Sequence, residues 1–157
     1  MYEIGKKVVC PMHGAGVIEE IQTRIVNDEE MQYYVVSLFL GNIKILVPVD
    51  MEISHIRDIT TADHANSIIA ALPELEINRN PNWSKRYREN MEKLKTGDLI
   101  ETAKVFKTLT LRNREKTLSA GERKMLHSAR QILMSELMIA LNMQLDELEE
   151  EIYHAIG

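Results

Sequence analysis

The chain has 157 residues, 45% of them apolar, and a net charge of −5. That length suits one domain or two small ones, and that apolar fraction excludes wholesale disorder. A single cysteine, Cys10, excludes an internal disulfide and fits a reducing compartment, while the absence of a signal-like N-terminus or of any run of about 18 apolar residues predicts a cytoplasmic protein without membrane contact.

In chain order, residues 1–57 read as β structure. The runs "KKVVC", "AGVIEEIQ", "YYVVSLFL" and "IKILVPV" are rich in Val, Ile and Tyr, and "VNDEEMQ" and "GN" punctuate them. About four or five short strands with tight turns imply a small, strongly bent sheet or barrel. Gly14-Ala15-Gly16 reads as a turn, because it lacks the pattern around a dinucleotide-binding loop. Pro48 cannot donate to a ladder, so its strand should end there or lie at an edge.

From Thr60 the period becomes helical. "TTADHANSIIAAL" offers a Thr cap signal ahead of Ile68, Ile69 and Leu72, and Pro73 stops that helix. The polar linker "ELEINRNPN" leads to Asn82, a candidate cap for a helix that starts at Trp83. Asp98 with Glu101, and Ser119 with Glu122, have capping-box spacing. Leu126, Ala129, Leu133, Leu137 and Ala140 mark a long amphipathic helix, and "QLDELEEEIYHAI" a last acidic one. The expected class is α+β, with a β unit over residues 1–59 and an all-α bundle over residues 60–157.

Charge is distributed unevenly. Residues 1–78 sum to −7, residues 79–130 to +8 and residues 131–157 to −6. A cationic middle between acidic flanks suggests contact with a polyanion, although a Lys- and Arg-rich helix is also simply well solvated. The only tryptophan heads this segment, in "NPNWSKRYRENMEKLK". At about 100° per residue, Trp83, Tyr87, Met91 and Leu94 share one arc, with Lys85, Arg86, Arg88, Lys93 and Lys95 outside it. Periodicity therefore assigns Trp83 to a core stripe. Its place at a helix start among cations suits an aromatic that stacks on a base or wedges into a base step. Both alternatives stay open at this level. Further along, Lys104, Lys107, Arg112, Arg114, Lys116, Arg123, Lys124 and Arg130 are candidate phosphate contacts. Arg123 and Lys124 oppose the helix dipole at their position, which suggests a use. Cys10 and His13 in "CPMH" have metal-like spacing but lack a second pair, and no catalytic constellation stands out.

Three stretches, "GKKVVCPMHGAGVIEEI", "NWSKRYRENMEKLKTGD" and "LSAGERKMLHSARQILMSEL", resemble the CarD (CdnL) family of bacterial transcription regulators, over about residues 3–141. The resemblance implies a Tudor-like front unit that binds the RNA polymerase β subunit. It also implies a helical unit on promoter DNA, in the minor groove and on the phosphate backbone, at the upstream edge of the melted bubble. Trp83 would be the wedge, with Lys85, Arg86, Arg88, Arg123 and Lys124 around it. Arg24 would face the polymerase. Where some members carry a basic residue just before "VP", this chain has Leu46, with Lys44 two residues earlier on the same strand face. The implied protein is a non-enzymatic, nucleoid-associated regulator, without cofactor or metal, that stabilises the open complex, with a monomer as the default state. The alternative is a protein-interaction adaptor without DNA contact.

Overall fold

The computed structural model describes residues 1–157 and has a five-stranded antiparallel sheet followed by helices. The strands are β1 (Lys7–Cys10), β2 (Gly14–Val26), β3 (Glu29–Leu38), β4 (Lys44–Pro48) and β5 (Arg57–Asp58), in spatial order β4-β3-β2-β1-β5. The result is an α+β chain with a small Tudor-like sheet in front and helices behind. A bulge between Ile18 and Glu20 shifts the β2–β3 register, which bends the sheet. Val8, Cys10, Ile18, Tyr34, Val36, Val47 and Ile56 fill its core. Pro48 ends β4, an edge strand, where its missing N–H costs nothing.

Two readings of the β unit change. "VNDEEMQ" is not all punctuation: only Asn27 and Asp28 form the turn, at φ 52° and 63°, and Glu29–Gln32 belong to β3. A two-residue hairpin needs left-handed backbone at both positions, which Asn and Asp tolerate best. Gly14-Ala15-Gly16 is not a turn but the start of β2, after a turn at residues 11–13. At Gly14, φ is +105°, and a Cβ there would lie 2.7 Å from Ser135 Oγ, so the glycine permits close approach to a helix.

A four-residue helix, α1 (Met51–Ser54), links β4 to β5. Helix α2 (Ala62–Ala71) begins at Thr61, whose hydroxyl accepts the His64 N–H, and passes into a 3₁₀ turn at Leu72–Glu74. Helices α3 (Trp83–Lys95), α4 (Leu99–Glu115), α5 (Ala120–Leu141) and α6 (Leu145–Ile156) complete the chain. Gly97, at φ 71°, breaks the path from α3 to α4, and Asn142, at φ 52°, ends α5. A 19-residue core including Phe106, Leu109, Leu133, Leu137 and Ile152 holds the helices together. No helix is long and apolar enough to cross a membrane.

Cys10 is 1% exposed, and burial pushes its thiol up to about 12. Only the thiolate reacts. A disulfide reagent at pH 8 is therefore expected to leave Cys10 unmodified in the folded protein and to label it fully in denaturant. Rapid labelling of the native chain would contradict the placement of β1 in the core.

Candidate nucleic-acid and protein interfaces

The approach to Trp83 is stiffened by its own asparagines. Asn78 Oδ1 accepts the Asn80 N–H, Asn80 Oδ1 accepts the Asn82 N–H, and Asn82 Oδ1 accepts the Lys85 N–H, each at 3.0 Å. The last of these caps α3, as expected. The first two are Asx turns, which replace sheet or helix bonding with local side-chain acceptors. The Asn78 N–H donates to Thr108 Oγ1 on α4 at 3.1 Å, so the linker is pinned before the helix starts.

Trp83 is 45% exposed. One face stacks on Tyr87, with centroids 5.2 Å apart and planes 21° from parallel. Its Nε1–H donates to Ser119 Oγ at 3.0 Å, and the same oxygen accepts the Glu122 N–H at 3.2 Å. A hydroxyl has two acceptor lone pairs, so one serine both caps α5 and orients the indole. Gly121 gives the aromatic pair room: a Cβ there would stand 3.3 Å from Tyr87 Cε2 and 3.6 Å from Trp83 Cζ2. The starts of α3 and α5 thus meet at Trp83, and the core stripe of α3 stops short of the ring's outer edge.

Arg86 departs from expectation. It is 1% exposed, with Nε and Nη2 on Glu122 at 3.1 and 3.2 Å and Nη1 on the Asn80 carbonyl at 2.9 Å. The reason is that α3 packs against two helices, so its buried face is wider than one apolar stripe and includes the side toward α5. A guanidinium so enclosed does not reach a phosphate; it clamps α3 to α5. Glu122 itself is 2% exposed, so the second half of the expected capping box is missing: its carboxylate turns to Arg86, with Arg112 Nε a further 3.9 Å contact.

The other cations divide in the same way. Lys107 is 6% exposed and donates to the carbonyls of Leu72, Pro73 and Leu75, closing the C-terminal end of α2 and its 3₁₀ turn. Lys104 pairs with Glu101, Arg130 with Glu149, and Arg114 with the Gly157 carbonyl. In contrast, Lys85, Arg88 and Lys124 are exposed and pair with no carboxylate. Arg123 is exposed and spends one Nη on the Leu118 carbonyl at 3.0 Å, leaving its other donors free. Four of the five expected cations are therefore exposed, on the N-terminal parts of the two helices that meet at Trp83, and Arg86 is buried between those helices.

On the sheet, Arg24 stands opposite Met31, Leu46 opposite Val35, and Lys44 opposite Ser37. Cross-strand partners share a face and residues alternate along a strand. All three residues therefore lie on the face opposite Tyr34 and Val36 of the sheet core. Leu46 is 42% exposed, and Lys44 pairs with Glu19 of the bulge at 2.9 Å. Arg24 is exposed, with Nε and Nη2 on Gln22 Oε1 at 3.4 and 3.1 Å.

Residues 2–60 match the family model for the CarD-like/TRCF RID domain, and residues 67–153 match that for the CarD C-terminal domain. YdeB of Bacillus subtilis (strain 168), a relative named as a transcription factor, is 37% identical over 140 residues, which cover 88% of this chain and 92% of the relative.

Glu122→Ala leaves Arg86 buried without its counter-charge and is expected to cost about 3–5 kcal/mol in urea unfolding. Trp83→Ala removes one stack and one exposed hydrogen bond and should cost only about 1–2 kcal/mol. Equal losses for the two variants would return Trp83 to the core.

Proposed function

The chain belongs to the CarD family of transcription factors, and we propose that it regulates initiation by holding RNA polymerase and promoter DNA together. The outer face of the sheet, with Arg24, Lys44 and Leu46, binds the polymerase β subunit. Trp83 enters the minor groove at the upstream edge of the melted bubble. Lys85, Arg88, Arg123 and Lys124 contact phosphates beside it. The observation that carries this proposal is the state of Trp83: half exposed at a helix start, stacked from behind, and fixed by Ser119 before any DNA arrives. An aromatic already ordered loses little entropy when it stacks on a base.

The mechanism is a population shift. A contact present only in the melted state moves the equilibrium toward it by its own free energy. A stacked or wedged aromatic is worth about 1–3 kcal/mol, or about 5- to 150-fold in the opening equilibrium. The phosphate contacts add affinity that does not depend on sequence. No covalent step and no cofactor enters. Action on promoters would set the protein on the nucleoid, in the cytoplasm.

Charge reversal in Arg24→Glu should weaken polymerase binding and leave DNA binding intact. Contact with about four phosphates predicts that log K falls with log salt at a slope near −3.6, and each cation replaced should reduce that slope by about one unit. Trp83→Ala should keep polymerase affinity and shorten the open-complex lifetime. A flat salt response, with no crosslink to DNA in polymerase–promoter complexes, would favour a pure protein adaptor instead.

A further inference from the structure

The sheet and the helices have separate apolar cores. Of the residues packed around the helical core, Met12 and Leu40 alone come from the first 60 positions, and none from the helices packs on the sheet core. A polar joint lies between them. Glu136, in the C-terminal third of α5, is fully buried. Its oxygens accept Nη1 and Nη2 of Arg57 at 2.6 and 2.7 Å and the Thr60 N–H at 2.9 Å. Arg57 Nε donates to the Gly97 carbonyl at 3.1 Å. One guanidinium therefore ties β5 to the C-terminal third of α5 and to the turn between α3 and α4. Burial acts against its charge, but the hydrogen bond and charge of Glu136, with the charge of Asp98, outweigh burial and keep Arg57 protonated. The preceding residue on α5 adds a second tie: Ser135 Oγ accepts the Ala15 N–H of β2 at 2.9 Å.

A buried ion pair is a poor source of stability, because apolar side chains of the same volume often do as well. What it supplies is direction. The fork of Arg57 meets both oxygens of Glu136, and its third donor meets a carbonyl on another element. Rotation of the sheet against the bundle would break several charge-assisted bonds together. We propose that Arg57 and Glu136 are positioning residues, which fix the angle between sheet and bundle so that Trp83 reaches DNA when the sheet is seated on polymerase. This inference rests on the proposed function. A loose joint would still allow each contact, but the second would no longer be presented in place by the first.

The experiment uses Arg57→Lys in the full chain. A lysine keeps the charge but cannot span Glu136 and the Gly97 carbonyl together. Spin labels at Glu29→Cys and Glu150→Cys, both exposed positions, report the angle as a distance distribution, with buried Cys10 left unlabelled. R57K is expected to broaden that distribution, to keep polymerase affinity within about twofold, and to shorten the open-complex lifetime at least about fivefold. Should R57K not fold, Glu136→Gln, which keeps side-chain shape, is measured in its place. A distribution as sharp as that of the parent, or a broadened one with undiminished lifetime, would overturn the proposal. If the parent itself does not lengthen the lifetime, the functional reading fails, and the distance distribution alone then tests the joint.

Discussion

Two carboxylates buried on one helix constrain the rest of this molecule. Glu122 and Glu136 lie fourteen residues apart on α5, or about 21 Å along its axis. A carboxylate held out of water calls for a counter-charge, because an uncompensated buried charge costs several kcal/mol. Each is met by one arginine from a distant element, Arg86 of α3 and Arg57 of β5. Helix α5 is therefore the spine to which the other functional parts are attached. Its N-terminal end holds the helix that bears Trp83, and its C-terminal third holds the sheet.

The chemistry of the end that bears Trp83 follows from that arrangement. Arg86 is drawn inside by Glu122, which fixes how α3 sits against α5 and brings Ser119 beneath the indole nitrogen. Gly121 keeps the helices close enough for the stack of Trp83 on Tyr87. Cations that are not needed inside, Lys85, Arg88, Arg123 and Lys124, are left on the surface. The net charge of the chain is negative, yet this end is cationic, and that local field matters for a polyanion.

Much of the fold was legible in local patterns, because the signals there are local in cause. Asn82, Asp98 and Ser119 act where capping demands them. The hairpin turn was harder, since Glu29–Gln32 is polar apart from Met31 and yet extends β3 beyond the core. The site was only partly legible. Periodicity separates an apolar stripe from the rest, but it does not register a helix packed on two neighbours, which is why Arg86 read as a free DNA-contacting cation and why periodicity alone left Trp83 open between core and surface. Lys107 was misread for a related reason, because the three carbonyls it satisfies are more than thirty residues away in the chain. Arg57 and Glu136 carried no signal at all, being separated by 79 positions and sitting in unremarkable contexts. A buried ion pair between distant elements becomes visible only when the chain is folded.

The central claim is that Trp83 touches DNA only where the duplex is distorted or melted. Its most direct test replaces Trp83 with a photoreactive aromatic amino acid in the full chain and irradiates polymerase–promoter complexes trapped closed and open. The account predicts crosslinks to the upstream edge of the melted region in open complexes and few or none in closed ones. Crosslinks confined to protein, or equal in both states, would contradict it.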